Sequence, residues 1–221
     1  MSSRQAHLTD PALYRAFYEA DLSRGRYARM PLSEPRLRWV TERLHTNDDV
    51  LDIGCHKGEM TVSLPLFTVG RVVGLDISAN AIGAALHRPE ASTRHISWLC
   101  SLGEQLPFRD QTFSAVILAE ILEHVPDPEP VVTEAERVLR PGGKVFVSVP
   151  INALDIDDVD RIQRQRKLGY DLDMHVREFM PAAYFAGRLN LETTEEWVRY
   201  PGHGPGIWQF GFRLAAYEVG V

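Results

Sequence analysis

An apolar run that turns at once on glycines constrains the fold of this chain more than any other stretch. Val50 to Ile53 has the composition of a buried strand, and Gly54 and Gly58 follow it directly. Glycine allows backbone conformations closed to other residues and lets the chain approach a ligand closely. A helix N-terminus after such a loop favours an anionic group. The stretch therefore predicts a ligand-binding loop at the end of a buried strand.

Strand and helix patterns alternate after this loop. Further strands are predicted at 71–76, 95–99, 113–118 and 144–149, and helices at 58–66, 78–86, 130–139 and 181–189. Such alternation is typical of a parallel sheet covered on both faces by helices. Two later strands, at 192–200 and 208–217, are joined by a glycine- and proline-rich segment and predict a closing antiparallel pair. The expected fold class is a doubly wound α/β fold.

Segments outside this alternation suggest how the chain is organised. Helices predicted near 10–18 and 33–44 would cap the core, which gives a helical segment over 1–46 and a main domain over 47–221. Residues 151–174 interrupt the main domain with an acidic cluster followed by a basic one. The simpler interpretation is a solvated helix with opposite charges at helical spacing. Because the segment leaves the C-terminal end of a strand, a lid over a ligand is the alternative.

Charge and composition exclude several classes of function. The formal net charge of −6 gives no general attraction to phosphate backbones, so nucleic acid is an unlikely partner and a small molecule is expected. No run of apolar residues is long enough to span a membrane. The first residues lack the apolar segment of a signal peptide, and the two cysteines are far apart in sequence. A cytoplasmic location is therefore predicted.

A second carboxylate narrows the type of ligand. Asp76 ends the second predicted strand and is followed by Ile77. A carboxylate in that position can accept hydrogen bonds from both hydroxyls of a ribose, and an aliphatic neighbour can pack on a purine. The first loop does not match the dinucleotide pattern G-x-G-x-x-G, because His56 holds the middle position and would crowd a pyrophosphate. The two loops together predict a nucleoside pocket.

These loops and several later segments occur in an order that resembles the class I S-adenosylmethionine-dependent methyltransferases. The segments that carry the resemblance are 50–58, 73–78, 103–108, 113–116, 122–128 and 137–143. The resemblance implies a Rossmann-like sheet of seven strands, mostly parallel with a closing antiparallel strand. It also implies that the cofactor is S-adenosyl-L-methionine.

The resemblance further implies roles for individual residues. Asp52, Gly54 and His56 would line the methionine end of the cofactor, Asp76 would hold the ribose, and Ile77 would pack on the adenine. The backbone near 101–102 would contact the adenine amino group. The complete predicted cofactor site is Asp52, Gly54, Cys55, His56, Gly58, Asp76, Ile77, Ser101, Leu102, Gly103, Ala119 and Glu120. Two residues depart from the usual family pattern, since His56 replaces a glycine and Leu102 replaces an acidic residue.

Candidate catalytic residues follow the strand at 113–118. Glu120, Glu123 and His124 have i, i+3 and i+4 spacing, which would place them on one side of a helical turn, and His175 occurs later in the chain. Two carboxylates and two imidazoles could bind a divalent ion such as Mg²⁺, which would lower the pKa of an acceptor hydroxyl. This set resembles the metal motif of ubiquinone-pathway O-methyltransferases and of small-RNA terminal 2′-O-methyltransferases. The alternative is a metal-free site in which His124 or His175 acts as a general base, with Glu120 beside it.

The sequence thus predicts an S-adenosylmethionine-dependent methyltransferase that acts on a small molecule, with oxygen as the favoured acceptor atom. N-methylation of an amine or peptide is an alternative that needs no metal. RNA 2′-O-methylation is disfavoured by the acidic charge. A non-enzymatic S-adenosylmethionine-binding regulator is a further alternative, although such a protein would have no need of the candidate catalytic residues.

Overall fold

The computed structural model describes residues 30, 32–92, 96–125, 127–150, 181–201 and 207–220. The helices of this part of the chain are α1 (Pro35–Thr41), α2 (Ala79–Leu86), α3 (Pro128–Val138) and α4 (Pro181–Tyr184), with 3₁₀ segments at Thr61–Leu66 and Pro89–Ser92. The strands are β1 (Val50–Ile53), β2 (Val72–Asp76), β3 (Ile96–Cys100), β4 (Phe113–Ala119), β5 (Leu139–Pro150), β6 (Leu189–Pro201) and β7 (Ile207–Glu218).

The described strands form one seven-stranded sheet in the order β3-β2-β1-β4-β5-β7-β6. Strands β1 to β5 pair in parallel, whereas β7 is antiparallel to both β5 and β6. This arrangement confirms the predicted α/β fold with a mostly parallel sheet and a closing antiparallel strand. In the sheet, β2 lies on one side of β1 and β4 lies on the other side, so the strand order reverses at β1 and β4. The carboxyl ends of β1 and β4 therefore form the switch point at which open α/β sheets bind ligands.

Both faces of the sheet are buried at β1, which explains the continuous apolar run of that strand. Leu51 and Ile53 point into one core, which α3 covers, and Val50 points into the opposite core, which α1 covers through Leu37. All four residues of β1 are buried. The two cores fix the register of β1, so that Ile53 pairs with Leu75 of β2 and with Leu118 of β4. The residues that follow these three therefore meet at one edge of the sheet.

Several predicted helix boundaries differ from the structure. The helix predicted at 58–66 is a 3₁₀ segment from Thr61 to Leu66. Pro65 lies inside this segment and has no N–H for an α-helical hydrogen bond. The helix predicted at 130–139 begins earlier, because Asp127 caps the N–H of Glu129 and proline occupies the first turn.

Two other helices are shorter than expected, and one strand is longer. The helix predicted at 33–44 begins at Pro35, where the Glu34 side chain caps the N–H of Leu37, and it ends at Thr41. The helix predicted at 181–189 ends at Tyr184. The strand predicted at 144–149 begins earlier, at Leu139, and its pairing with β4 is irregular between Phe113 and Ala115.

Some predictions concern residues outside the described ranges. These are the helix at 10–18 and the segment 151–174. The division of the chain into 1–46 and 47–221 therefore stays a prediction. Among the helices of the described ranges, none is both long and apolar enough to cross a membrane.

Candidate functional site

A cavity of about 360 Å³ opens at the carboxyl ends of β1, β2 and β4. Its volume is in the range of small-molecule sites. The predicted site residues that line it are Asp52, Gly54, Cys55, His56, Asp76, Ile77, Ser101, Gly103, Ala119, Glu120 and His124. Gly58 and Leu102 are outside its wall. The fold thus brings together most of a site that the sequence distributes over more than seventy positions.

The loop after β1 needs its two glycines for conformation and for space. Gly54 has φ of 75° and Gly58 has φ of 76°, in the left-handed region that favours glycine. A Cβ on Gly54 would lie 2.9 Å from Cδ1 of Ile121. A Cβ on Gly58 would lie 2.3 Å from Cη2 of Trp98, and one on Gly74 would lie 2.6 Å from Cζ3 of the same indole. Because Gly58 has no side chain, the loop can pack directly against the indole of Trp98.

Asp76 connects this loop to the end of β2. Its Oδ2 accepts a hydrogen bond of 2.8 Å from the N–H of His56, and its Oδ1 accepts one of 2.8 Å from the N–H of Ser78. The Ser78 hydroxyl in turn caps α2 by accepting from the N–H of Ala81. These bonds hold the buried carboxylate of Asp76 in the wall of the cavity.

Asp52 is the second carboxylate of the loop, and it is almost fully buried. Its Oδ2 accepts a hydrogen bond of 2.6 Å from the hydroxyl of Thr61. Burial raises the pKa of Asp52 to about 7, the charges of Asp76 and Glu59 act in the same direction, and the Thr61 hydrogen bond opposes them. Asp52 therefore changes its protonation state near neutral pH.

The segment after β4 is a turn, so the prediction that Glu120, Glu123 and His124 share a helical face is wrong. Glu120 has φ of 54°, and its N–H donates to the carbonyl of Ser148 at 2.8 Å. Its carboxylate accepts a 2.8 Å hydrogen bond from the Ser148 hydroxyl. Glu120 and His124 line the cavity, whereas Glu123 is only 2% exposed.

The two glutamates differ in their surroundings. Burial raises the pKa of Glu120, and the Arg36 guanidinium and the Ser148 hydroxyl oppose that rise. Burial raises the pKa of Glu123 strongly, and the negative charge of Glu120 adds to the effect. Neither carboxylate oxygen of Glu123 has a hydrogen-bond partner among the described residues, although Nε2 of His124 is 3.7 Å from its Oε1. Burial and the charge of Glu120 therefore favour the protonated form of Glu123, whereas Arg36 and Ser148 counteract the effect of burial at Glu120.

The described residues do not fit the predicted metal centre. They contain no group of three or more His, Cys, Asp or Glu side chains that could hold an ion. The Glu120 carboxylate is bonded to Ser148, and Glu123 is buried beside His124. The fourth predicted ligand, His175, lies outside the described ranges.

Sequence reasoning missed three charged residues of the cavity wall, Arg36, Glu59 and Glu104. Arg36 of α1 lines the cavity, and its Nε donates to Oε1 of Glu34 at 2.6 Å. Glu59, directly after Gly58, also lines the cavity. The position of Glu59 beside the glycine loop was the available signal for it. No sequence pattern around Arg36 indicates that it belongs to the site, because only the packing of α1 brings it there.

Comparison with known protein families gives one match to a domain. Residues 51–147 match the family described as "Methyltransferase domain". The ubiquinone biosynthesis O-methyltransferase of Paraburkholderia phymatum is 38% identical over 121 residues, which are 53% of this chain and 51% of that protein. The enzyme of the same name from Coxiella burnetii is 32% identical over 115 residues, which are 51% of this chain and 48% of that protein. The chain spans about half the length of the curated relatives it matches.

Solved structures agree on the fold. A putative methyltransferase from Bacillus halodurans has a TM-score of 0.63 at 18% identity and covers 86% of this chain and 100% of its own. The [4+2]-cyclase SpnF has a TM-score of 0.61 at 17% identity and covers 84% of this chain and 80% of its own. At such identities the likeness shows the fold alone, and one fold hosts several reactions. Together with the domain match, these comparisons confirm the predicted resemblance to S-adenosylmethionine-dependent methyltransferases.

Proposed function

We propose that this methyltransferase domain transfers a methyl group from S-adenosylmethionine to a hydroxyl oxygen of a small-molecule acceptor. The observation that carries the proposal is the Glu120 carboxyl group, which Ser148 holds in the wall of the nucleoside-sized cavity. The O-methyltransferase names of the relatives that match half of the chain support oxygen as the acceptor atom.

The residues of the cavity fit the cofactor. The glycine loop leaves no room for a Cβ at Gly54, and the Asp76 carboxylate lies in the cavity wall, where a carboxylate can accept hydrogen bonds from ribose hydroxyls. Ile77 would pack on the adenine, while Ser101 and Gly103 would lie at its edge. When bound, S-adenosylmethionine supplies an activated methyl group on a positively charged sulfur. The chain's own task is then to align an acceptor at about 3 Å from that methyl group.

Glu120 is the proposed general base. An acceptor hydroxyl loses its proton as its oxygen attacks, and a carboxylate in the cavity wall can take that proton. The raised pKa of Glu120, caused by burial, brings its basicity closer to neutral pH. Ser148 holds the carboxylate in place through the 2.8 Å hydrogen bond. His124 also lines the cavity and is the second candidate for this role.

The experiment is a transfer assay with methyl-labelled S-adenosylmethionine over phenols, catechols, amines and RNA. For an active phenol or catechol, Glu120→Gln is expected to lower kcat by roughly 100-fold or more, because it removes the base. The same substitution should leave S-adenosylhomocysteine binding, measured by calorimetry, within about twofold. His124→Gln is the parallel variant for the second candidate.

Two further measurements distinguish the general-base site from a metal-dependent reaction and O-methylation from N-methylation. A general-base site predicts that chelation and Glu123→Gln both leave activity in place. Loss of activity on chelation, with recovery on adding Mg²⁺, would instead show a metal-dependent reaction. Methylation of amines alone would replace the oxygen proposal with N-methylation, and full activity of Glu120→Gln would refute the assigned role of Glu120.

A further inference from the structure

Residues 101–106, the wall segment, follow β3 and form one side of the cavity. Ser101 and Gly103 both line the cavity. At the start of the wall segment, the N–H of Ser101 donates to the carbonyl of Asp76 at 3.0 Å. At its end, Leu106 is buried in the core on the side of the sheet that α3 covers. The part of the wall segment that faces the cavity therefore lies between two fixed points.

Helix α3 provides the fixed point at the end of the wall segment. Oε2 of Glu134 accepts a 2.7 Å hydrogen bond from the N–H of Leu106. Arg137 donates through Nη2 to the carbonyl of Leu106 at 3.2 Å and through Nη1 to the carbonyl of Phe108 at 3.0 Å. Both backbone polar groups of Leu106 are thus bonded to side chains of α3.

The two α3 side chains also hold each other in place. Nε and Nη2 of Arg137 donate to the two carboxylate oxygens of Glu134 at 2.6 and 2.8 Å, the paired geometry that a guanidinium and a carboxylate favour. The hydrogen bond from Arg137 lowers the pKa of Glu134, burial opposes this effect, and the N–H of Leu106 adds to it. Glu134 is therefore ionised at neutral pH, and the bond that it accepts from the wall segment is strengthened by its charge.

The same helix contacts the wall segment at Gly103. A Cβ on Gly103 would lie 3.5 Å from Cγ1 of Val131 and 3.2 Å from Cγ2 of Ile53, and both of these side chains line the cavity themselves. Val131, Glu134 and Arg137 follow one another three residues apart, the spacing of neighbours on a helix surface. The backbone of the wall segment is therefore held against α3 at Gly103 as well as at its end.

We infer that Glu134 and Arg137 are positioning residues that make the cavity selective for adenine, because they fix the backbone of the wall segment. The inference rests on the proposed function, in which Ser101 and Gly103 lie at the edge of the adenine ring. That edge carries an amino donor and a ring-nitrogen acceptor, whereas hypoxanthine carries an acceptor and a donor at the same two positions. A backbone held at Leu106 cannot turn to suit the reversed pattern, so the unmatched polar groups weaken binding.

The alternative is that the Glu134–Arg137 pair only stabilises the fold. Its loss would then lower the fraction of folded protein, and ligands that bind the same folded state would be weakened by one common factor. The ratio between the dissociation constants of two ligands would stay at the wild-type value. The two roles therefore differ in selectivity between ligands, which a purely structural role does not change.

The test measures calorimetric dissociation constants of S-adenosylhomocysteine and S-inosylhomocysteine, in which hypoxanthine replaces adenine, for the full chain. The wild-type protein is expected to bind the inosine analogue roughly 100-fold more weakly, about tenfold for each reversed hydrogen bond. Arg137→Met should lower that ratio to about tenfold or less, because it releases the backbone of the wall segment. Arg137→Lys keeps the charge without the paired geometry and should give an intermediate ratio.

Arg188→Met is the matched control. The Arg188 side chain is 32% exposed, against 31% for Arg137, and its Nε donates at 3.3 Å to Glu136, which also belongs to α3. Arg188 does not line the cavity. Its substitution should lower stability in urea denaturation and leave the ratio of the two dissociation constants within about twofold of wild type.

A ratio that stays at the wild-type value in Arg137→Met would overturn the inference, and so would a wild-type protein that binds the two ligands equally. If Arg137→Met does not fold, Glu134→Gln takes its place, because the amide keeps the shape of the side chain and removes its charge. An unchanged ratio in that variant would overturn the inference in the same way. Failure of the wild-type protein to bind S-adenosylhomocysteine would instead refute the proposed function.

Discussion

The buried carboxyl of Asp52 makes the stability of the ligand-free protein depend on pH. Its pKa is about 7 in the folded chain, against an ordinary value of 3.8. The folded state therefore holds a proton that the unfolded state has released. The stabilisation from this proton is fully present below pH 3.8 and is lost as the pH rises through 7. Linkage with these two values lowers the free energy of unfolding by about 2 kcal/mol between pH 5.5 and pH 8.5.

Asp52→Asn removes the titration and retains the shape. The amide oxygen can accept the Thr61 hydrogen bond, which is 2.6 Å long in the structure. Urea denaturation of both proteins at pH 5.5 and pH 8.5 gives the free energies of unfolding. The variant's stability relative to wild type is expected to rise by about 2 kcal/mol at the higher pH.

Asp49→Asn is the matched control. Burial raises the pKa of Asp49, but hydrogen bonds from Arg71 and Arg140 outweigh it and lower the pKa to about 2. The stabilisation from this carboxylate is present above pH 3.8 and is lost only as the pH falls toward 2. Its substitution should therefore cost the same at pH 5.5 and pH 8.5. A relative stability of Asp52→Asn that does not change with pH would refute the assignment of a raised pKa to Asp52.

Two further predictions concern packing and loop anchoring. Gly58→Ala combines a left-handed φ with a Cβ 2.3 Å from Trp98 and should cost about 2 to 4 kcal/mol in urea denaturation. Gly83→Ala, in α2 with open space around it, should instead gain up to about 1 kcal/mol, and equal effects of the two would contradict the packing argument. Arg137→Met removes bonds to residues 106–110 and should speed amide exchange in that loop, with a cost of about 1 to 3 kcal/mol. Lys144→Met, which removes only a 3.9 Å ion pair, should change stability by less than about 1 kcal/mol and leave that exchange unchanged.

The sheet could be predicted because its signals are local. Strands β1 and β2 are buried on both faces and appear in the sequence as apolar runs; the glycine loop follows the first run, and Asp76 ends the second. The register then brings the ends of β1, β2 and β4 together without further information. The fold and the position of the cavity both follow from these patterns.

The arrangement of the catalytic candidates depended on contacts that no local pattern records. The spacing of Glu120, Glu123 and His124 suggested one helical face, but Glu120 takes a left-handed conformation because its N–H bonds to Ser148 of β5. Glu120 lines the cavity whereas Glu123 is buried, and the sequence alone does not distinguish these two glutamates. Arg36 joins the cavity through the packing of α1, which is equally remote in sequence.

The indole of Trp98 lies where side chains at Gly58 and Gly74 would otherwise be, so it touches both the glycine loop and the second strand. Indole fluorescence responds to small changes in surrounding polarity and contact. A rearrangement of the loop at Gly58 should therefore alter the emission of Trp98 directly. The chain has four tryptophans, and a variant that keeps Trp98 and replaces the other three would report on that loop alone. The protein thus contains its own optical probe of the segment on which ligand binding depends.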